Sequence, residues 1–199
     1  MKYLRHLSFY IPFLLYLGPI NVFALTAEQA VEETTLEVLD RLQQDKARLE
    51  AEPDYIKTIV RELIIPHFDF YTMTRLVLQD NWDNMSEVEQ DCFLNGFRNK
   101  LVERYAHILM SYDNQSITYQ VARPIGELDV VTVEQTITRS GTKPLPINYP
   151  MRFQDDEWKV VDLIVDGISL LKSYRGTFQR EIDAAGLQNF IYNFQECQD

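Results

Sequence analysis

The sequence predicts an α+β fold, an antiparallel sheet of about four strands covered by helices. Three observations carry this. Apolar residues recur at three- and four-residue steps through the first half of the chain. They then alternate with polar residues at a period of two from Ile117 to about Val165. After Gly167 the helical period returns. These two periods separate helix from half-wetted strand, and a sheet with one apolar face must be covered by helices.

Thr26 and Gln29 have the spacing of a capping box, and Val31, Thr35, Val38, Leu42 and Leu49 follow as one stripe. A helix of about 25 residues is expected there. Pro53 opens the next helix, with Ile56, Ile59, Val60 and Leu63 inward, and Pro66 closes it. A short helix follows from Asp69 to about Leu78. Ser86 and Glu89 form a second capping box and start a long helix to about Tyr112. Phe93, Phe97, Leu101, Tyr105, Ile108 and Leu109 fall on one face of it.

Four strands are read next. Ile117, Tyr119 and Val121 alternate, as do Val131, Val133 and Ile137, then Ile147, Tyr149, Met151 and Phe153. Trp158 to Val165 is apolar on both faces. Gly126 and the Ser140-Gly141 step supply turns, and the short connections imply an antiparallel meander. Asp166 is then read as the cap of a helix from Gly167 to Ala185, stopped by Gly186. Leu171, Tyr174, Phe178 and Ile182 form its stripe. A last short helix carries Leu187, Phe190, Ile191 and Phe194.

The start of the chain reads differently. Lys2, Arg5 and His6 precede an uncharged apolar run from Leu7 to Ile20. Val22, Phe23 and Ala24 place small residues where a signal peptidase cuts. The run is about 14 residues, short of the roughly 20 that a spanning helix needs. Residues 1–24 are therefore expected to be a cleaved export signal, and residues 25–199 a single periplasmic domain. Cleavage would leave 17 basic against 30 acidic residues, a net charge near −13. Such a surface repels phosphate backbones and excludes nucleic acid as a natural partner. It also favours release from anionic lipid surfaces. Cys92 and Cys197 are the two cysteines, and export permits but does not dictate their pairing.

Catalytic signatures are missing. There is no nucleophile elbow, phosphate loop, dinucleotide fingerprint or zinc-protease motif, and no Cys/His cluster with metal-ligand spacing. His67 reads as a turn residue and His107 as a packed or half-exposed ring. Asp69, Asp162 and Asp166 are the carboxylates with a claim to acid–base work. Asp162 lies among Val160, Val161, Leu163 and Ile164, where burial could raise its pKa. Its other reading is a side chain that points outward from an alternating strand or bonds to a backbone amide.

Three segments resemble the MlaC-type family, also called toluene-tolerance auxiliary proteins. The first has Pro66, Asp69-Phe70, Leu76-Val77-Leu78 and Trp82. The second has Phe93, Phe97, Leu101 and Tyr105-Ala106. The third has Trp158-Lys159-Val160, Asp162, Gly167, Ser169-Leu170, Tyr174-Arg175 and Phe178. Gln79 departs from the glycine usual after the first motif, and Asp80 and Asp83 bring negative charge to that loop.

The resemblance implies a fold whose sheet and helices enclose an apolar cavity for a phospholipid. It implies a monomeric periplasmic carrier without cofactor, metal or catalytic residues. Its partners would be an inner-membrane ABC transporter with an MCE-domain subunit and an outer-membrane lipoprotein–porin complex. Expected wall residues are Phe70, Leu76, Phe97, Leu101, Tyr105, Val133, Tyr149, Met151, Val161, Leu163, Leu171 and Tyr174, with Arg175 near the mouth. Two uncovered acyl chains would cost roughly 25 kcal/mol in water, at about 0.8 kcal/mol per methylene, so the lining must rival a bilayer. An enzyme on a similar scaffold, using Asp162 or Asp69, would instead show a polar cluster in the pocket. A solid-core binding module or chaperone would show no cavity.

Overall fold

The computed structural model describes residues 25–124 and 130–194. The expected export signal, the turn at Gly126 and Cys197 lie outside the described residues. Both capping boxes form as read. Thr26 and Gln29 start α1 (Ala27–Gln44), and Ser86 and Glu89 start α6 (Glu87–Tyr105). The first helical run breaks once, at Asp45, before α2 (Lys46–Ala51). There the Arg41 guanidinium bonds the Asp45 carboxylate and donates to the Tyr55 hydroxyl at 2.7 Å. Burial of Val31, Val38 and Leu49 matches the expected stripe.

The proline-bounded segment is helical but irregular. A 3-10 turn (Pro53–Tyr55) leads into α3 (Ile56–Ile59), a π-helical stretch (Val60–Ile64) and a second 3-10 turn (Ile65–His67). Asp69 then caps α4 (Phe70–Leu78), accepting the Thr72 amide at 2.9 Å. A short α5 (Asp80–Asp83) precedes α6. Beyond Tyr105 the helix tightens into a 3-10 stretch (Ala106–Ser111). This change of pitch rotates Ile108 out of the expected stripe, and it is 60% exposed.

The antiparallel meander is present, with six strands rather than four: β1 (Ser116–Pro124), β2 (Val130–Thr138), β3 (Leu145–Gln154), β4 (Glu157–Val160), β5 (Ile164–Val165) and β6 (Ile168–Ser169). The order is β1-β2-β3-β5-β6, and β4 also pairs with β3. The stretch from Trp158 to Val165 divides because Val161 turns its amide to the Pro150 carbonyl and the ladder on β3 resumes only at Ile164. Asp166 is not a helix cap. With Gly167 it forms the two-residue turn of the β5–β6 hairpin, at φ 48° and 81°. Both residues need the left-handed region there, which suits Asp-Gly. Ser169 is the cap of α7 (Leu170–Ala185), donating its hydroxyl to Asp162 and accepting from the Lys172 amide. Gly186 ends α7, at φ 82°, and α8 (Leu187–Tyr192) follows.

The interior is built as three cores. The first joins α4, α6, α7 and α8 around Phe93, which lies 4.7–5.9 Å from the rings of Phe97, Phe178, Phe190 and Phe194. The second packs Leu49, Tyr55, Ile56, Ile59 and Val60 on Val102 and Ala106. The third lays Ala27 and Val31 of α1 on Val133, Met151 and Val160 of the sheet.

Asp162 occupies the break between β4 and β5 and closes it. Its carboxylate accepts from the Leu163 amide (2.8 Å), the Ser169 hydroxyl (2.6 Å) and the Leu171 amide (3.1 Å). Asp162→Ala is expected to lower stability by about 1–3 kcal/mol, because these donors lose their acceptor in a half-buried site. The urea midpoint should fall with the m-value unchanged. An unchanged midpoint would show that water replaces the carboxylate at no cost.

Candidate functional site

Helix α6 stands between two of the cores and touches both. At 100° per residue, Phe93, Phe97 and Leu101 share one direction, into the aromatic core. Val102 and Ala106 point nearly opposite, into the second core. Between them lies a half-buried row: Leu94 and Tyr105, packed against the aromatic core, Leu109, packed against the second core, and Arg98. On the other side of the same helix lie Lys100 and Glu103, both exposed. The half-buried row therefore belongs to the inner side.

Ile65 and Phe68 complete this inner line. Ile65 packs against both helical cores, and Phe68 against the aromatic core and the sheet core. Phe68 also stacks on Phe70 at 5.9 Å and bridges by its backbone to Val160. The three cores thus meet along a seam of large apolar side chains that keep some accessible surface. The sheet side of the third core holds a polar group instead. Gln135 is buried, donates to the Thr35 hydroxyl at 3.0 Å and accepts from the Tyr149 hydroxyl at 2.7 Å. Burial pushes the Tyr149 phenol well above its ordinary pKa, so it stays a donor. This network ties α1 to β2 and β3.

The expected wall residues distribute as follows. Phe70, Phe97, Leu101, Leu171 and Tyr174 are buried in the aromatic core, with Tyr105 packed against it. Val133 and Met151 are buried in the sheet core, and Tyr149 packs on them. Val161 is buried and Leu163 half-buried, on either side of Asp162. Leu76 is 42% exposed, because it faces away from the stripe that α4 buries. With Thr72, Arg75, Gln79, Asp83 and Arg152 it lines an open hollow of about 360 Å³. A second hollow of about 470 Å³ is lined by Leu25, Thr26, Ala27, Glu28, Val131, Phe153 and Trp158. Trp158 donates its ring N–H to the Leu25 carbonyl there, at 3.0 Å. Arg175 makes a fork on the Leu76 carbonyl, donating from Nε (3.0 Å) and Nη2 (2.6 Å), and so joins α7 to the end of α4.

Sequence reading missed Leu94, Arg98, Ile65 and Phe68, and Leu109 entered only as part of a stripe. Position alone could have found the α6 row, since it bisects two stripes. Gln135 has the parity of Val133 and Ile137 and was passed over for its polarity.

Among the described residues the polar side chains assemble no acid–base centre. Asp69 and Asp162 spend their carboxylates on backbone amides and a hydroxyl. His67 is held below its ordinary pKa by burial and by the charge of Lys159. His107 is exposed and pairs with Asp54 at 3.2 Å. Among the described residues no three His, Cys, Asp or Glu side chains gather as a metal site, and no helix is long and apolar enough to cross a membrane. Cys92 is disulfide-bonded.

A helix-covered meander with a half-buried inner seam defines a domain of the α+β class whose distinctive surface is internal. The chain belongs to the MlaC family, whose sequence model, described as MlaC protein, matches residues 32–196. It is 25% identical to the intermembrane phospholipid transport system binding protein MlaC of Haemophilus influenzae, over 89% of this chain and 90% of that protein. It is 26% identical to toluene tolerance protein ttg2D of Pseudomonas putida, over 80% of this chain and 74% of that protein. Its fold is that of a phospholipid-binding protein of Ralstonia solanacearum solved in complex with a phospholipid. That likeness has a TM-score of 0.77 and 23% identity, and covers 87% of this chain and 97% of the other.

Lysine cannot reproduce the two-donor fork that Arg175 places on Leu76. Arg175→Lys is expected to cost about 1 kcal/mol of stability, read as a lower urea midpoint. A midpoint equal to that of the parent would show that the joint between α4 and α7 does not depend on it.

Proposed function

We propose that this chain is a periplasmic carrier that holds a phospholipid by its acyl chains and performs no covalent chemistry. One observation carries the reading: between the two cores α6 presents a row of half-buried side chains, with Leu94 and Tyr105 packed on one core and Leu109 on the other, none of them fully enclosed. In a solid core such residues would be fully buried, since interiors pack to crystal density. The relatives support the same reading. One is named for intermembrane phospholipid transport, and the protein of like fold holds a phospholipid.

In this reading the tails lie along Tyr105 and Leu109, with Ile65 and Phe68 opposite and Leu94 at the near end of the row. Phe70, Leu101, Tyr149, Val161, Leu163 and Tyr174 stand behind or beside them. Export with cleavage after Ala24 would release residues 25–199 as one domain. The acidic surface would keep the carrier from lingering on anionic membranes. Delivery would run between an inner-membrane ABC transporter with an MCE-domain subunit and an outer-membrane lipoprotein–porin complex. Apolar surface moves from bilayer to seam at little net cost, so exchange can run in either direction.

Native mass spectrometry of protein purified without detergent tests this. One phospholipid per chain is the expected result, and a homogeneous empty protein would remove the proposal. Leu109→Trp adds bulk to the seam from a side chain that packs on the second core but stays only half-buried. It should reduce lipid occupancy at least several-fold while the thermal midpoint changes by only a few degrees. Retained occupancy would place the tails elsewhere.

A further inference from the structure

Arg98 is the one cation in the half-buried row of α6. Its Nε is buried and has no hydrogen-bond partner. Among the described residues it makes no ion pair, and its described contact is with the Phe70 ring, 5.4 Å from Cζ to the ring centroid. Phe70 is 6% exposed and stacks on Phe68, at the junction of the aromatic and sheet cores. A guanidinium brought to that place loses hydration, and one ring face returns only a fraction of it. The chain carries 30 acidic residues, yet none of the described ones is set against this arginine. Two other half-buried cations are provided for: Arg41 has Asp45 and Tyr55, and Lys57 has Asp54 and Glu103, whereas Arg152, half-buried at an open surface hollow, has no ion pair among the described residues.

Resting on the carrier reading, we propose that Arg98 is the anion receptor of the lipid site, and that its guanidinium takes an oxyanion of the bound lipid, the phosphodiester. Guanidinium matches such a group in charge and in the geometry of its paired donors. Phe70 holds the side chain in place from below while leaving those donors free. The acyl chains then run along α6 from this point, past Leu101 to Tyr105, about 10 Å further at 1.5 Å per residue. There the Tyr174 hydroxyl, buried and without a well-formed hydrogen bond, faces Tyr105, and burial pushes its pKa up to about 12.

The test compares three ligands with matched acyl chains: a phospholipid, a diacylglycerol lacking the phosphate, and a free fatty acid. Each is titrated into delipidated full-length mature protein, with a fluorescent acyl probe displaced. The parent should bind the phospholipid at least ten-fold more tightly than the diacylglycerol. Arg98→Met keeps the length of the stem without the charge. It should abolish that ratio by weakening phospholipid but not diacylglycerol, and Arg98→Lys should restore part of it.

Weaker fatty-acid binding in the same variant would support an oxyanion receptor shared by phosphate and carboxylate. A loss for fatty acid but not for phospholipid would overturn the phosphate assignment. Equal loss of all three ligands would also overturn it, because it would make Arg98 a packing residue. If Arg98→Met does not fold, the parent alone decides: equal affinity for phospholipid and diacylglycerol refutes the receptor. Failure of the parent to bind any of the three refutes the carrier reading instead, which keeps the two failures apart.

Discussion

The aromatic packing around Phe93 is what the rest of the molecule depends on. Five phenylalanines and Tyr174 contact one another as stacked, edge-on and tilted pairs, with centroids within 6 Å, and they come from α6, α7, α8 and the residue two beyond α8. Such pairs add about 0.5–1.5 kcal/mol each to the burial of large rings. They close the first core on itself. The second core, from Leu49 to Ala106, is likewise closed. Because each is complete, α6 is fixed from two sides and gains nothing by sinking its inner row further. A seam can persist between two finished cores where it would collapse beside one unfinished core.

The backbone between Pro53 and His67 makes the seam possible on the opposing side. A regular helix would carry Ile64 and Ile65 round at 100° steps and leave one face to the second core. The π-helical stretch Val60–Ile64 inserts a wider turn, and the 3-10 turn at Ile65 then tightens the chain. Ile64 remains on the second core, while Ile65 reaches the aromatic core as well. Departures of this kind cost backbone hydrogen-bond quality and are found where they re-aim a side chain. Phe68 and Phe70 continue the line, one toward the sheet and one under Arg98.

Two helix starts were legible in the sequence because each has a local chemical device. Thr26 with Gln29 and Ser86 with Glu89 cap as their spacing indicates. The buried stripe of α7 was legible for the same kind of reason. The β5–β6 hairpin was not, because two-residue strands leave no period, and Asp166 before Gly167 suits a helix cap as well as a turn. Ile108 was misplaced because the pitch changes after Tyr105, which no local signal announces. The seam was least legible. Periodicity finds residues that are buried by a neighbour, and Phe97, Leu171 and Val133 were found that way and serve the cores. A residue that lines a seam is one that no neighbour buries completely. Leu94 and Arg98 fall between the two stripes of their helix, so the pattern that marks the stripes passes over them.

The balance of forces at such a seam explains why one polar group belongs in it. An apolar lining alone would match a bilayer for the tails, methylene for methylene, and would hold any acylated molecule equally well. Discrimination needs a term that depends on the ligand's polar end. A guanidinium that is already partly stripped of water supplies one, since its desolvation is offset only by a ligand oxyanion. Diacylglycerol leaves that charge unpaired, whereas a phosphodiester completes it. The same charge also limits how firmly an empty seam can close, because collapse of Leu94, Tyr105 and Leu109 onto Phe68 would enclose Arg98 without a counter-charge. On the proposed reading, a carrier that must be both empty and loaded in turn would be kept from packing solid by the group that recognises its cargo.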